Sequence, residues 1–211
     1  MKSQPATSGP RRYVQGARAQ AAEATAQRIV DAFLARLMKH WLDEITLDLV
    51  AEDAGVTVQT VVRRFGGKDG LLAHAVKILA TQINARRASP PGDIERLVDN
   101  LIMDYEETGD AVIRLLALEP RQPTLRSVIQ FGRSEHRRWV SDVFAEPLRR
   151  LDIASRKRVL DTLVIATDVY VWKLLRRDMA RSVAATAMTM NGLVRAAVAE
   201  ISNSNSSGEG Q

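Results

Sequence analysis

The stretch from Ile45 to Leu72, ITLDLVAEDAGVTVQTVVRRFGGKDGLL, restricts the possible folds more than any other part of the chain. Its first part, Thr46 to Ala54, places Leu47, Val50, Ala51 and Ala54 at spacings of three and four, one face of a short helix. Thr46 stands at the N-cap, where a hydroxyl can accept from a free backbone N–H of the first turn. Gly55 ends the helix, because the residue just past a helix often takes positive φ and glycine does so without strain. Thr57 offers a second N-cap almost at once, and a second helix follows from Val58 to Phe65. That helix turns Val61 and Phe65 inward and leaves Gln59, Thr60, Arg63 and Arg64 outward. So tight a turn forbids an antiparallel pair, and the two helices must cross steeply with the small Ala51 where they touch. The result is a helix-turn-helix whose second helix is shaped for a major groove.

Leu49-Val50-Ala51, Ala54-Gly55-Val56-Thr57, Val62-Arg63-Arg64-Phe65 and Lys68-Asp69-Gly70-Leu71-Leu72 together resemble the DNA-binding domain of TetR-family transcriptional regulators. The resemblance covers about residues 26 to 75, and the combined spacing is far more specific than any one piece. Two positions depart from the family pattern. Val62 stands where a tyrosine usually reaches a phosphate, and Trp41-Leu42-Asp43 stand where a glycine usually follows the first helix. The resemblance implies an all-α protein that binds double-stranded operator DNA as a homodimer and is most often a repressor released by a small-molecule effector.

The residues themselves suggest how DNA would be read. Val58, Gln59 and Thr60 occupy the first turn of the second helix, the part that such helices point into the groove. Gln59 can pair bidentately with adenine, while Val58 or Thr60 can meet a thymine methyl. Arg63 and Arg64, a turn later, are placed for phosphates, and Arg64 can partly replace what Val62 cannot do. Lys68 lies in the first turn of the next helix, where free N–H groups and the macrodipole already favour an anion, so a lysine there fits a phosphate. With the two capping threonines, Thr46 and Thr57, these residues make up the expected DNA-binding set.

Charge agrees with that placement. The whole formal excess of +5 lies in residues 1–88, which hold 13 Lys and Arg against eight Asp and Glu. From Val58 to Lys68 there are three bases and no acid, the pattern of a nucleic-acid footprint. Cysteine is absent, which excludes disulfides, thiol catalysis and cysteine-type zinc sites. No apolar run reaches the length of a membrane span and the first residues lack a signal-peptide core, so a cytoplasmic protein with no membrane partner is expected.

Residues 1–20 carry Pro5, Gly9 and Pro10 and read as a disordered tail. Arg11, Arg12 and Arg18 make it either an arm on DNA or a solvated segment that touches nothing. The helix-turn-helix domain with its connecting helix spans 21–88, with helices over 21–40 and 68–87 flanking the motif. Ser89-Pro90-Pro91-Gly92 breaks the chain, and a helical ligand-binding and dimerisation domain follows over 93–201. Its helices are expected at about 93–108, 110–118, 122–149, 154–178 and 182–201, and 202–211 reads as a disordered tail.

The last two helices are apolar over more than one stripe, which calls for a second partner beyond the core of their own domain. The resemblance implies a four-helix dimer interface here; burial within one monomer is the alternative. In the middle helices, Tyr105, Phe131, His136, Trp139 and Trp172 are the expected lining of an effector cavity, with His136 its polar anchor or simply a satisfied core histidine. No enzyme is expected, since His40, His74 and His136 fall in separate helices without metal-ligand spacing and Glu106-Glu107 diverge by about 100° on a helix. No cofactor or metal site is expected either. The competing class is an all-α interaction protein that keeps the fold without ligand-controlled DNA binding, and the missing tyrosine at Val62 speaks for it.

Overall fold

The structure, a computed structural model, describes the backbone of residues 10–206 and the side chains of residues 19–201. All of its regular elements are helical, as the sequence predicts. Among the described residues ten α-helices run in order: α1 Pro10–Leu37, α2 Leu47–Ala54, α3 Val58–Phe65, α4 Lys68–Arg86, α5 Ile94–Leu118, α6 Arg126–Val143, α7 Ala145–Arg149, α8 Ile153–Ala166, α9 Val169–Lys173 and α10 Val183–Ser206. No helix among the described residues is long and apolar enough to cross a membrane.

The motif forms as its caps dictate. Thr46 accepts from the Leu49 N–H and Thr57 from the Thr60 N–H, each at 3.3 Å. Gly55 and Gly66 close α2 and α3 in the left-handed region, at φ of 64° and 77°. Behind them α1 buries Ile29, Val30, Phe33 and Leu37 against Val50, Ala51, Val61, Leu71 and Leu72. Arg36 clasps Asp53 through two bonds of 2.6 and 2.8 Å, and Arg28 donates to the last carbonyl of α2 at Ala54. This core continues into the second half of the chain through Leu118, Leu125, Val128 and Ile129. The two halves therefore share apolar contacts as well as the connecting helix. Arg114 of α5 reinforces them by donating to the free carbonyls of Leu37 and Met38 at the end of α1.

The second core packs α5, α6, α8, α9 and α10 around Trp172, Leu101, Val140, Leu163, Met190 and Val194. Four readings of the sequence need correction, the first being the single helix over 122–149, which is divided at Phe144 into α6 and α7. The expected break at Gly109 is absent, because α5 runs unbroken through it. That glycine lies against the Trp172 ring, and a Cβ there would sit 2.5 Å from Cζ3, so it makes room for a side chain. The single helix expected over 154–178 is divided at Thr167, where Asp168 caps α9 by accepting from the Tyr170 N–H at 2.8 Å, and the chain then leaves through a π-helical turn, Leu174–Asp178. The tails are also shorter than expected: α1 begins at Pro10 and α10 continues to Ser206. Residues 1–9 and 207–211 lie outside the described residues, as do the side chains of Arg11, Arg12 and Arg18.

Candidate DNA-binding and ligand sites

On the surface formed by α3 and the start of α4, Gln59, Val62 and Arg63 share an exposed face at spacings of three and four. Val62 is 43% exposed, an apolar side chain where neighbouring positions are basic. Thr46 and Thr57 are exposed caps, and the Thr57 and Thr60 hydroxyls lie 3.0 Å apart, so Thr60 is partly committed to its own helix. Val58 is half-buried and packs on the core. Arg64 is not free: it meets Glu23 of α1 at 3.2 Å. Lys68 is half-buried, and burial holds its ammonium pKa below the usual lysine value despite the opposing pull of Asp43 and Asp69. Its charge is therefore under-solvated where a phosphate could compensate it. Trp41, in the departure from the family pattern, is exposed at the turn before α2.

A cavity of about 190 Å³ lies where α1, α4, α5, α6 and the α8–α9 joint converge. Apolar side chains form most of its wall, among them Leu79, Ile83, Val112, Leu115 and Ile129. Of the five expected lining residues, Tyr105 and His136 are on the wall and Phe131, Trp139 and Trp172 are not. Trp139 is buried beside His136 with ring centroids 5.6 Å apart. Trp172 is fully buried in the core and donates its indole N–H to Glu106 at 2.9 Å. Phe131 is half-buried and off the cavity. The wall residues that the sequence did not suggest include Asn84 of α4 and its capping residue Arg87, Arg133 and Glu135 of α6, and Asp168 and Tyr170 at the joint.

Arg87 is the electrostatic centre of this region. Only 6% exposed, it places Nη2 2.7 Å and Nε 2.9 Å from Oδ2 of Asp104, itself 1% exposed. Arg86 takes the other oxygen of the same carboxylate. The Arg87 guanidinium also lies over the rings of Tyr105 and Trp139, at 4.8 and 5.3 Å from their centroids. Its Nη1 faces His136 Nδ1 at 3.4 Å. On the other side of that ring, Nε2 is 3.2 Å from the Thr167 hydroxyl, which already donates to the Leu163 carbonyl. The arrangement fits a neutral imidazole that accepts from Arg87 at Nδ1 and donates to Thr167 from Nε2. Burial and the adjacent guanidinium push its pKa down to about 4, which gives the same answer. His136 is thus a satisfied histidine that also touches the cavity.

A third surface is apolar. Ile165, Tyr170 and Leu174 on and beyond α8, and Met188 and Leu193 on α10, are each 44–73% exposed. These are the helices in which the sequence shows excess apolar width. Among the described residues no cluster of His, Asp and Glu is placed to hold a metal ion.

The helix-turn-helix, the long connecting helix and the helical second half together give the fold of TetR-family transcriptional regulators, and the chain resembles that family. A TetR-family regulator from Streptomyces coelicolor aligns with a TM-score of 0.66 at 19% identity, over 85% of this chain and 80% of that one. Another from Mesorhizobium loti aligns with a TM-score of 0.65, also at 19% identity, over 84% and 96%. In sequence the chain is 29% identical over 97 residues to an HTH-type transcriptional repressor of Streptomyces coelicolor. That match covers 46% of this chain, which spans about half (50%) of the curated relative it matches. No family model matches the chain.

Proposed function

We propose that the protein is a dimeric DNA-binding transcriptional regulator of the TetR type, a repressor that a small molecule releases from its operator. The observation that carries this reading is the course of α4. One continuous helix carries the half-buried Lys68 in its first turn, beside the basic face of α3, and Asn84 near its other end, on the cavity, with the capping residue Arg87 beside it. A ligand that shifts Asn84 or Arg87 therefore acts on the element that orients α3. Dimerisation through α8, α9 and α10 would cover the exposed Ile165, Met188 and Leu193 and supply the second half-site contact that one short recognition helix needs.

The test is competition between promoter DNA and random DNA. Gln59→Ala should cost about 1–3 kcal/mol on the cognate operator and leave nonspecific binding nearly unchanged. Equal loss on both DNAs would remove Gln59 as a reader. The second reading, an interaction protein that keeps the fold, draws on two observations: Val62 is exposed where a phosphate contact is absent, and Arg64 is held by Glu23. Failure of the wild type to bind any promoter DNA at low salt would favour it.

A further inference from the structure

Four side chains on the cavity wall carry full charges: Arg87, Arg133, Glu135 and Asp168. Three of them are neutralised inside the protein. Arg87 pairs with Asp104 at 2.7 Å, Arg133 forks onto Glu119 at 2.7 and 2.9 Å, and Glu135 pairs with Arg138. Asp168 forms no ion pair among the described residues. One of its oxygens accepts from the Tyr170 N–H, and the other accepts nothing among the described residues. Arg133 is the cation it feels, but that guanidinium is turned to Glu119.

We propose that the cavity binds a compact lipophilic amine, with its ammonium against the free oxygen of Asp168 and its apolar body along Leu79, Ile83, Val112 and Leu115. This rests on the reading of the cavity as the effector site and names the ligand class. Each alternative charge type meets an obstacle. An anion finds no uncommitted cation, and taking Arg87 from Asp104 would leave a buried carboxylate without that partner. A neutral ligand would strip water from the Asp168 carboxylate and return at most a hydrogen bond, without a countercharge. A cation repays that cost. Burial already holds the Asp168 carboxyl above its usual pKa, the direction that an arriving ammonium would reverse. Tyr170, two residues on from Asp168, also lines the wall and brings an aromatic ring to the same cavity. Size narrows the class further, since about 190 Å³ lies below the roughly 300–1,000 Å³ of pockets for drug-sized ligands.

The experiment is calorimetry on the full chain with 2-phenylethylamine, 2-phenylethanol and phenylacetate, which share a ring and reach but differ in charge. The amine should bind about tenfold tighter than either of the others. Asp168→Asn keeps a good helix cap and should abolish that preference, leaving the amine no tighter than the alcohol, with a melting curve to verify folding. Glu119→Ala removes the acceptors of the Arg133 fork and should shift preference toward phenylacetate. The proposal is overturned if the amine binds no better than the alcohol, if Asp168→Asn retains the preference, or if none of the three binds. No DNA is present, so failure of the regulator reading would appear separately, in an operator titration.

Discussion

Replacing Asp104 with alanine tests how firmly α4 is anchored to the second half of the chain. The carboxylate is shielded from water and receives Arg87 and Arg86 together. Losing one member of a buried pair costs about 3–5 kcal/mol, because the partner remains as an uncompensated charge. Two features place this case at the lower end. Arg86 is a third exposed and lies 3.7 Å from Glu107, so it can turn to another carboxylate. Arg87 has no such outlet, but it keeps its two aromatic faces, which soften the loss. A cost of about 3 kcal/mol corresponds to roughly 6–12 °C in Tm for a chain of this size. Differential scanning calorimetry at fixed protein concentration measures it, since a dimer's Tm depends on concentration. Adding Arg87→Met should recover much of the loss by removing the stranded charge. A shift below about 2 °C, or a double variant no more stable than the single one, would refute the assignment of Arg87–Asp104 as the anchoring pair.

Three other outcomes are expected. Lys68→Ala should weaken binding to all DNA sequences alike and lower the salt slope by roughly one unit per subunit, whereas a changed sequence preference would contradict a phosphate role. Leu193→Asp puts a carboxylate into the apolar face of α10, so sedimentation should show monomer; a dimer of unchanged affinity would exclude that face as the contact. His136 has a folded pKa of about 4 against a usual 6.5, so between those values the unfolded chain binds a proton that the folded chain refuses. Stability should therefore fall as pH drops through that window, by about 2 kcal/mol from pH 7 to pH 5, and His136→Gln should lack this component in urea titrations.

The motif was legible in the sequence because its determinants are local. Thr46, Gly55 and Thr57 each act within one turn, and their caps form as residue type predicts. Gly109 misled for the opposite reason. Its purpose is set by Trp172, far away in sequence, and nothing local separates a glycine that ends a helix from one that admits a ring. The cavity was half legible. Tyr105 and His136 could be picked out as polar or aromatic residues on inward faces, whereas Trp139 and Trp172 satisfy the same rule and belong to the core. Arg86 and Arg87 stand just before a proline-rich break and resemble a solvated helix end, and only the fold brings Asp104 to them. Asp168 lay hidden within a stretch that reads as one continuous helix.

At the junction of α3 and α4, a Cβ added to Gly70 would fall 1.8 Å from the Phe65 carbonyl oxygen. That atom is backbone, at the last residue of α3, and cannot swing aside as a side chain would. Every other amino acid at this position must therefore lever α4 away from α3, while the far end of α4 stays pinned on Asp104. On the proposed function, a genetic selection for loss of operator binding should accordingly return Gly70 substitutions beside those at Gln59 and Lys68. The products expected are folded chains in which α3 is set at the wrong angle to α4.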